Sequence, residues 1–95
     1  MTEAARRLDD AQVAAALAHL QGWAVADSTL TKSFKFEDFM GAVGFVNQIA
    51  PLAEARAHHP DLNVGWGTVG VRLTTHSAGG LTAADFALAD DIDQI

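Results

Sequence analysis

Residues 30–60, LTKSFKFEDFMGAVGFVNQIAPLAEARAHHP, change from the hydrophobic period of a strand to that of a helix. Leu30, Phe34 and Phe36 fall on one face of an extended chain, because successive side chains of a strand point to opposite sides. From Phe39 onward the apolar residues recur every three or four positions, which indicates a helix. This stretch therefore predicts a strand that leads directly into a long helix.

The long helix is predicted to begin after Glu37 and Asp38, whose negative charges suit a helix N-terminus. Pro51 interrupts the pattern, since a proline inside a helix removes one hydrogen bond and clashes with the preceding turn. We expect one kinked helix, although a second helix that starts at Pro51 would also accommodate it. Pro60 ends the helix, because the residue before a proline is driven out of the helical region. The predicted apolar face comprises Phe39, Val43, Val46, Ala50, Ala53 and Ala57.

Two predicted hairpins flank this helix. Residues 23–25 pair with the strand that precedes the helix, and residues 63–66 pair with the alternating residues 69–75 that follow it. Helical spacing predicts further helices over residues 10–21 and after the N-cap residue Thr82. The order helix, hairpin, helix, hairpin, helix predicts an α+β fold, in which a four-stranded antiparallel sheet carries helices packed on one face.

The composition indicates one globular domain spanning residues 1–95. Hydrophobic residues make up 49% of the chain and charged residues 19%, the reverse of the balance in disordered chains. A net charge of −6 argues against a nucleic-acid partner, which selects basic surfaces. With no cysteine and no apolar run of about 18 residues, we expect no disulfide, no membrane segment and a cytoplasmic location. So small a chain buries a modest core, which makes self-association a reasonable way to bury more surface.

Three of the four histidines, His58, His59 and His76, bracket the second hairpin. Glu54 lies one helical turn before His58, so we expect the two side chains to share a helix face. His59 precedes a proline that imposes extended backbone, which directs its ring away from the helix. If the end of the last strand lies near the end of the long helix, the three imidazoles converge on one pocket.

The spacing of these histidines leaves three interpretations open. They form a polar helix terminus, or they bind a zinc ion, or they belong to a metal-free active site of imidazoles and carboxylates. Adjacent residues seldom ligate one ion, and the usual helical ligand spacing of three or four residues is absent here, which disfavours the metal. The fourth histidine, His19, lies among alanines and is expected to be a surface or packing residue.

One set of residues has the spacing of a family signature. The signature begins with an acidic residue, which three further residues separate from the triplet His-His-Pro. An aromatic residue follows six positions after the proline, a histidine ten positions after the aromatic residue, and an aspartate later in the chain. The positions are Glu54, His58, His59, Pro60, Trp66, His76 and Asp85. Together with the segments LTKSFKFEDF, HHPDLNV and LTTHSAGGLTAADF, they resemble the pterin-4a-carbinolamine dehydratases, in particular bacterial members, over residues 23–95.

The resemblance implies an α+β fold, a homodimer or homotetramer, a small-molecule pterin substrate and neither a metal nor an organic cofactor. It implies the dehydration of 4a-hydroxytetrahydropterin to the quinonoid dihydropterin, with His58 and His76 as acid/base residues and His59 orienting the substrate or acting as a partner base. Glu54, Trp66 and Asp85 are implied to bind or frame the substrate. For Asp85 the electrostatics of a helix start is an equally good explanation.

The sequence departs from the family pattern in two places, before the paired histidines and around the aromatic residue. Ala57 stands where relatives often carry an acidic residue or glycine, so an acidic partner for the imidazoles is missing there. Gly65 and Gly67 flank Trp66 where relatives often have larger polar residues, which predicts a looser hairpin or weaker pterin contacts. The resemblance also carries an alternative function, since some diverged relatives are non-catalytic dimerisation partners or assembly factors. Loss of the catalytic histidines marks that route, and all three are present here.

Overall fold

A computed structural model describes residues 6–95 as three α-helices and four β-strands. In chain order these are α1 (Asp10–Leu17), β1 (Ala24–Ala26), β2 (Thr29–Lys35), α2 (Phe39–Arg56), β3 (Asp61–Val64), β4 (Thr68–Leu73) and α3 (Ala83–Asp93). A single 3-10 turn, His76–Ala78, lies between β4 and α3. The strands form one antiparallel sheet in the order β1-β2-β4-β3, which confirms the predicted fold class.

The hydrophobic core lies between the helices and one face of the sheet. Strand β4 buries Val69, Val71 and Leu73 completely, whereas Arg72 is exposed on the other face, as the alternation predicts. Leu30 pairs with Leu73 across β2 and β4 and is also fully buried. The helices cover these side chains with Ala42, Phe45, Ile49, Ala53, Leu88, Ala89 and Ile92.

Helix α2 runs through Pro51 as one helix, as predicted. Asp38 caps its N-terminus and accepts a hydrogen bond from the Gly41 N–H at 2.7 Å. The buried face of α2 differs from the predicted face. Apolar residues lie on several sides of this helix, so their spacing does not determine which side is buried. Phe39, for example, is 48% exposed. The buried residues are Ala42, Phe45, Ile49 and Ala53.

Helix α2 ends at a left-handed residue, before the proline is reached. Ala57 has φ 50° and ψ 39°, and its N–H donates to the Glu54 carbonyl at 3.1 Å. The N–H of His58 donates to the Ala53 carbonyl, also at 3.1 Å. This pair of bonds is a Schellman motif, which satisfies the last carbonyls of a helix and turns the chain off its axis. His58 and His59 therefore follow the helix and are not part of it.

Ala57→Gly is expected to stabilise the protein by about 0.5–1 kcal/mol. A Cβ atom strains the left-handed conformation, whereas glycine adopts it freely, and the extra freedom of glycine in the unfolded chain offsets only part of that gain. Urea unfolding followed by tryptophan fluorescence measures the change. The control is Ala55→Gly inside α2, which should destabilise by about 0.5–1 kcal/mol. Destabilisation by both variants would contradict the strain at Ala57.

The N-terminal helix and strand β3 end earlier than predicted. Helix α1 stops at Leu17 instead of residue 21, because the N–H groups of His19 and Leu20 form tighter turns, bonding three residues back. Strand β3 lies two residues before the predicted segment, since the Gly65 N–H bonds the Thr68 carbonyl at 2.8 Å and closes the turn. Within residues 6–95, no helix combines the length and apolar character needed to cross a membrane.

An ion pair joins the end of α2 to α3. Arg56 Nε lies 2.5 Å from Asp91 Oδ2, and Nη2 lies 3.2 Å from Oδ1. The hydrogen bond and positive charge of Arg56 lower the pKa of the Asp91 carboxyl. A carboxyl whose pKa is lower in the folded state stabilises the fold above its unfolded pKa, and this stabilisation disappears as the pH falls through the folded value. Because the side chains are 41% and 28% exposed, solvent screens the pair and its contribution is small.

Arg56→Gln is expected to lower the free energy of unfolding by at most about 1 kcal/mol at pH 7 and by less at an acidic pH below the lowered folded pKa of Asp91, where the carboxyl is protonated. Urea unfolding at the two pH values measures both effects. Lys35→Gln is the control, because Lys35 is exposed and has no ion pair within residues 6–95. An equal loss at both pH values would show that Arg56 acts through packing and not through charge.

Candidate active site

The imidazole of His58 is in direct contact with the carboxylate of Asp85. His58 follows the end of α2, Asp85 lies in the first turn of α3, and His58 Nε2 is 2.6 Å from Asp85 Oδ1. The side chain of Asp85 is fully buried and that of His58 is 15% exposed. The Schellman motif at Ala57 turns the chain off the axis of α2. His58 can therefore reach Asp85 in α3. The fold thus places the predicted supporting carboxylate beside one of the three candidate histidines.

Two threonines hold the same carboxylate in place. Asp85 Oδ2 accepts hydrogen bonds from the Thr75 hydroxyl at 2.7 Å and from the Thr82 N–H at 2.9 Å. The two hydroxyls are 2.9 Å apart, and the Asp85 N–H donates to the Thr82 backbone carbonyl at 3.1 Å. Within residues 6–95 no buried side-chain nitrogen or oxygen lacks a partner. Asp85 is therefore both the helix-start residue and the carboxylate partner of His58.

These contacts allow the protons of His58 to be assigned. An ionised carboxylate only accepts hydrogen bonds, so the Asp85 Oδ1 atom accepts from the Nε2–H of His58. The other ring nitrogen, Nδ1, makes no hydrogen bond within residues 6–95 and is not buried. Nδ1 is consequently the atom of His58 that is able to exchange a proton with a bound molecule.

His59 has a separate partner. Its Nε2 atom contacts Oε2 of Glu54, and both side chains are largely exposed. Glu54 was expected to share a helix face with His58, but α2 ends at Arg56, so His58 leaves the helix and His59 returns to Glu54. The pair borders an apolar groove of about 310 Å³ between α2 and β3. The rest of its lining is Val46, Ile49, Ala50, Ala53, Pro60 and Leu62.

His76 is exposed at the start of the 3-10 turn and directly follows Thr75. The Thr75 N–H donates to the Gly80 carbonyl at 3.2 Å, and the Gly80 N–H donates to the Thr75 carbonyl at 3.4 Å, which closes the segment that carries His76. In the described residues 6–95, no hydrogen bond joins the His76 ring to His58 or His59. Convergence of the three imidazoles on one pocket stays a prediction.

Trp66 projects from the turn between β3 and β4 and is 72% exposed. This turn is tied to the end of β2, because the Phe36 N–H donates to the Gly67 carbonyl at 2.8 Å. A Cβ atom on Gly67 would lie 2.8 Å from the Phe36 carbonyl oxygen. The glycine permits a close approach of two backbones, so the expectation of a looser hairpin is wrong at this point. His19 is exposed, in agreement with its predicted surface location.

Gly67→Ala is expected to lower the free energy of unfolding by about 1–3 kcal/mol, because the new methyl group must displace a backbone carbonyl. Gly44→Ala is the matched control: a Cβ there has no atom within 4 Å, and alanine favours the interior of α2 by about 0.5–1 kcal/mol. Urea unfolding of both variants measures the difference. Stabilisation by Gly67→Ala would contradict the close approach.

Thr75 and Thr82 were not predicted as site residues, although Thr82 was predicted as a helix cap. The spacing of TAAD, residues 82–85, is that of a capping box and is a sequence signal for the contact between Asp85 and the Thr82 N–H. No local pattern identifies Thr75, whose contact with Asp85 spans ten residues and forms only in the folded chain. In the described part of the chain, His, Asp and Glu residues form no group of three or more that could hold a metal ion.

The fold and the contact between His58 and Asp85 define a small α+β protein with a histidine–carboxylate pair beside its last helix. The sequence family described as Pterin 4 alpha carbinolamine dehydratase matches residues 6–95. The chain therefore belongs to this family, as the sequence resemblance predicted.

Two relatives illustrate the similarity. Proteins from Picosynechococcus sp. and Mycolicibacterium vanbaalenii carry the provisional name pterin-4-alpha-carbinolamine dehydratase. The first is 44% identical over 91 residues, covering 96% of this chain and 99% of the relative. The second is 48% identical over 88 residues, covering 93% of this chain and 95% of the relative.

Two solved structures share the fold. The transcriptional coactivator/pterin dehydratase from Brucella melitensis has a TM-score of 0.89 at 38% identity, covering 94% of this chain and 97% of that one. A pterin dehydratase-like protein described as a RuBisCO assembly factor in the alpha-carboxysome is more distant. Its TM-score is 0.63 at 26% identity, covering 76% of this chain and 83% of that one.

Proposed function

We propose that this protein dehydrates 4a-hydroxytetrahydropterin to the quinonoid dihydropterin by histidine acid/base catalysis. In this reaction the C4a–O bond breaks, the hydroxyl leaves as water after receiving a proton, and the N5 proton is removed as the C4a=N5 double bond forms. Histidine suits both proton transfers, because its unperturbed pKa of about 6.5 lies near working pH. The reaction would recycle a tetrahydrobiopterin-type cofactor.

The contact between His58 and Asp85 carries this proposal. It supplies an imidazole whose Nε2 atom contacts a buried carboxylate and whose Nδ1 atom makes no hydrogen bond within residues 6–95, which leaves Nδ1 for a substrate. A buried carboxylate that orients a histidine is a recurring arrangement for acid/base chemistry. The family membership of residues 6–95 supplies the substrate class on which this histidine would act.

The other candidate residues have subordinate roles in the proposal. His76 serves as the second acid/base residue, and His59 orients the substrate with Glu54 as its partner. The apolar groove beside Glu54 and His59 suits the flat face of a heterocycle. Trp66, which is exposed in the single chain, would frame the pterin. No metal or organic cofactor takes part.

We propose further that one domain spanning residues 1–95 carries the activity as a homodimer or homotetramer in the cytoplasm, without a nucleic-acid or membrane partner. The alternative, a non-catalytic binding or assembly protein, is represented by the distant assembly-factor structure. The three histidines present here favour the enzyme, because a purely structural role does not require them, and two of them, His58 and His59, have carboxylate partners.

The decisive assay follows the absorbance decay of freshly generated 4a-hydroxytetrahydropterin with and without the protein, in the presence of a chelator. Accelerated decay that survives the chelator and is abolished in the His58→Ala/His76→Ala double variant supports a metal-free dehydratase. No acceleration by protein that circular dichroism shows to be folded would reject the enzyme in favour of the assembly protein. Abolition by the chelator would reject the metal-free mechanism.

A further inference from the structure

Thr75 occupies a position between two of the candidate histidines. Its hydroxyl donates to Oδ2 of Asp85 at 2.7 Å, and the other oxygen of that carboxylate contacts His58. Its backbone is the N-cap of the 3-10 turn that begins with His76, and both its N–H and its carbonyl bond to Gly80. One residue therefore links the side chain that orients His58 to the backbone that carries His76.

We propose that Thr75 is a positioning residue of the site, whose hydroxyl holds the Asp85 carboxylate so that His58 keeps its Nε2–H tautomer and orientation. The catalytic consequence of this inference rests on the proposed dehydratase function. Thr75 itself needs no contact with the substrate, because its effect is exerted through Asp85.

The physical reason is the burial of Asp85. Its side chain has no exposed surface, so bulk water does not replace a lost donor without a rearrangement of the surrounding chain. Without the Thr75 hydroxyl, Oδ2 keeps only the Thr82 N–H, and the Thr82 hydroxyl loses its neighbour. An under-solvated buried carboxylate turns toward its remaining donors, which changes the geometry of its contact with His58.

The arrangement also explains why a threonine is suited to this position. Its hydroxyl is 2.9 Å from that of Thr82, and the Thr82 N–H donates to the same Asp85 oxygen as the Thr75 hydroxyl, so contacts among the three residues form a closed ring. In this ring the Thr82 hydroxyl donates to the Thr75 hydroxyl, and the Thr75 hydroxyl donates to the Asp85 carboxylate. A closed ring restricts the carboxylate to one rotamer, which is the property required to orient an imidazole.

The test compares two variants that each change one group of the Thr75 side chain. Thr75→Val removes the hydroxyl and keeps the shape, whereas Thr75→Ser keeps the hydroxyl and removes a methyl group. We expect Thr75→Val to lower kcat by about tenfold or more with little change in KM, by analogy with the 10–100-fold effects of residues that support functional histidines at metal sites. Thr75→Ser should restore most of the activity.

The matched control is Thr74→Val. The Thr74 hydroxyl also makes a hydrogen bond, to the Ser28 carbonyl at 2.8 Å, but it has no contact with Asp85. We expect this variant to keep the kcat of the unmodified protein. If Thr75→Val does not fold, Thr75→Ala provides the same comparison with Thr75→Ser. Equal kcat values for the Thr75 variants with and without the hydroxyl would overturn the proposal.

A second readout is independent of catalysis. Nitrogen-15 chemical shifts of the His58 ring report which nitrogen carries the proton, and we expect the Nε2–H tautomer in the unmodified protein, Thr75→Ser and Thr74→Val. Thr75→Val should give a mixture of tautomers. If the unmodified protein lacks dehydratase activity but the shifts change as expected, Thr75 positions His58 and the proposed function is wrong. If the shifts do not change in Thr75→Val, the positioning role is wrong whatever the activity.

Discussion

His58→Ala is expected to lower kcat for carbinolamine dehydration by about 10²–10⁴-fold, the usual contribution of a positioned acid or base. The substitution removes the imidazole whose Nδ1 atom makes no hydrogen bond within residues 6–95, while Asp85 keeps the hydrogen bonds from Thr75 and Thr82. The fold should therefore persist, which circular dichroism and thermal unfolding verify. Absorbance decay of the carbinolamine at saturating substrate measures the change in kcat.

His19→Ala is the matched control for this experiment. His19 is an exposed histidine next to α1 and has no part in the proposed site, so its removal should leave kcat unchanged. If His58→Ala stays within about threefold of the unmodified protein, a barrier change below about 1 kcal/mol, the proposed role of His58 is wrong. A large loss in His19→Ala would show that the site lies elsewhere.

Asp85→Ala is expected to lower the free energy of unfolding by about 2–5 kcal/mol, the largest stability effect we predict for a single substitution. The substitution leaves three donors without their acceptor: the Thr75 hydroxyl, the Thr82 N–H and the His58 ring. It also removes half of the capping box of α3. Urea unfolding followed by the fluorescence of Trp23, which is buried in the core, measures the loss.

Asp90→Ala separates burial from charge in this comparison. Asp90 is an exposed carboxylate in the same helix, and its removal should change the free energy of unfolding by less than about 0.5 kcal/mol. If Asp85→Ala and Asp90→Ala lower the free energy of unfolding by the same amount, the effect comes from the net charge of α3 and not from the buried hydrogen bonds of Asp85. Asp85→Ala should also lower kcat wherever it remains folded, because His58 loses its orienting partner.

The sequence predicted the strands of the sheet well, because buried apolar residues alternate with other residues along β4. Val69, Val71 and Leu73 lie on one face, and only one register places all three in the core. Helix α2 was less determined. It is apolar on several sides, so the choice of Phe45 and Ile49 as buried residues over Phe39 depends on where β4 and α3 lie.

The candidate site shows the same division. The signature identified His58, His59, Glu54 and Asp85 from their spacing, but it did not predict which side chains touch. Helical spacing paired Glu54 with His58, whereas in the fold Glu54 contacts His59. The reason is local and small: a left-handed Ala57 ends α2 before His58, and helical geometry no longer applies beyond it.

The sequence by itself determined the α+β class, the element order and the family, because hydrophobic periodicity and motif spacing are properties of the chain. Only the tertiary structure decided that His58 pairs with Asp85 and that Thr75 supports this contact. His58 follows α2, Thr75 follows β4 and Asp85 lies in α3. Elements distant in sequence meet through packing, which no local pattern encodes. Burial then gives the contacts their chemical significance, because a fully buried carboxylate keeps the partners that the fold supplies.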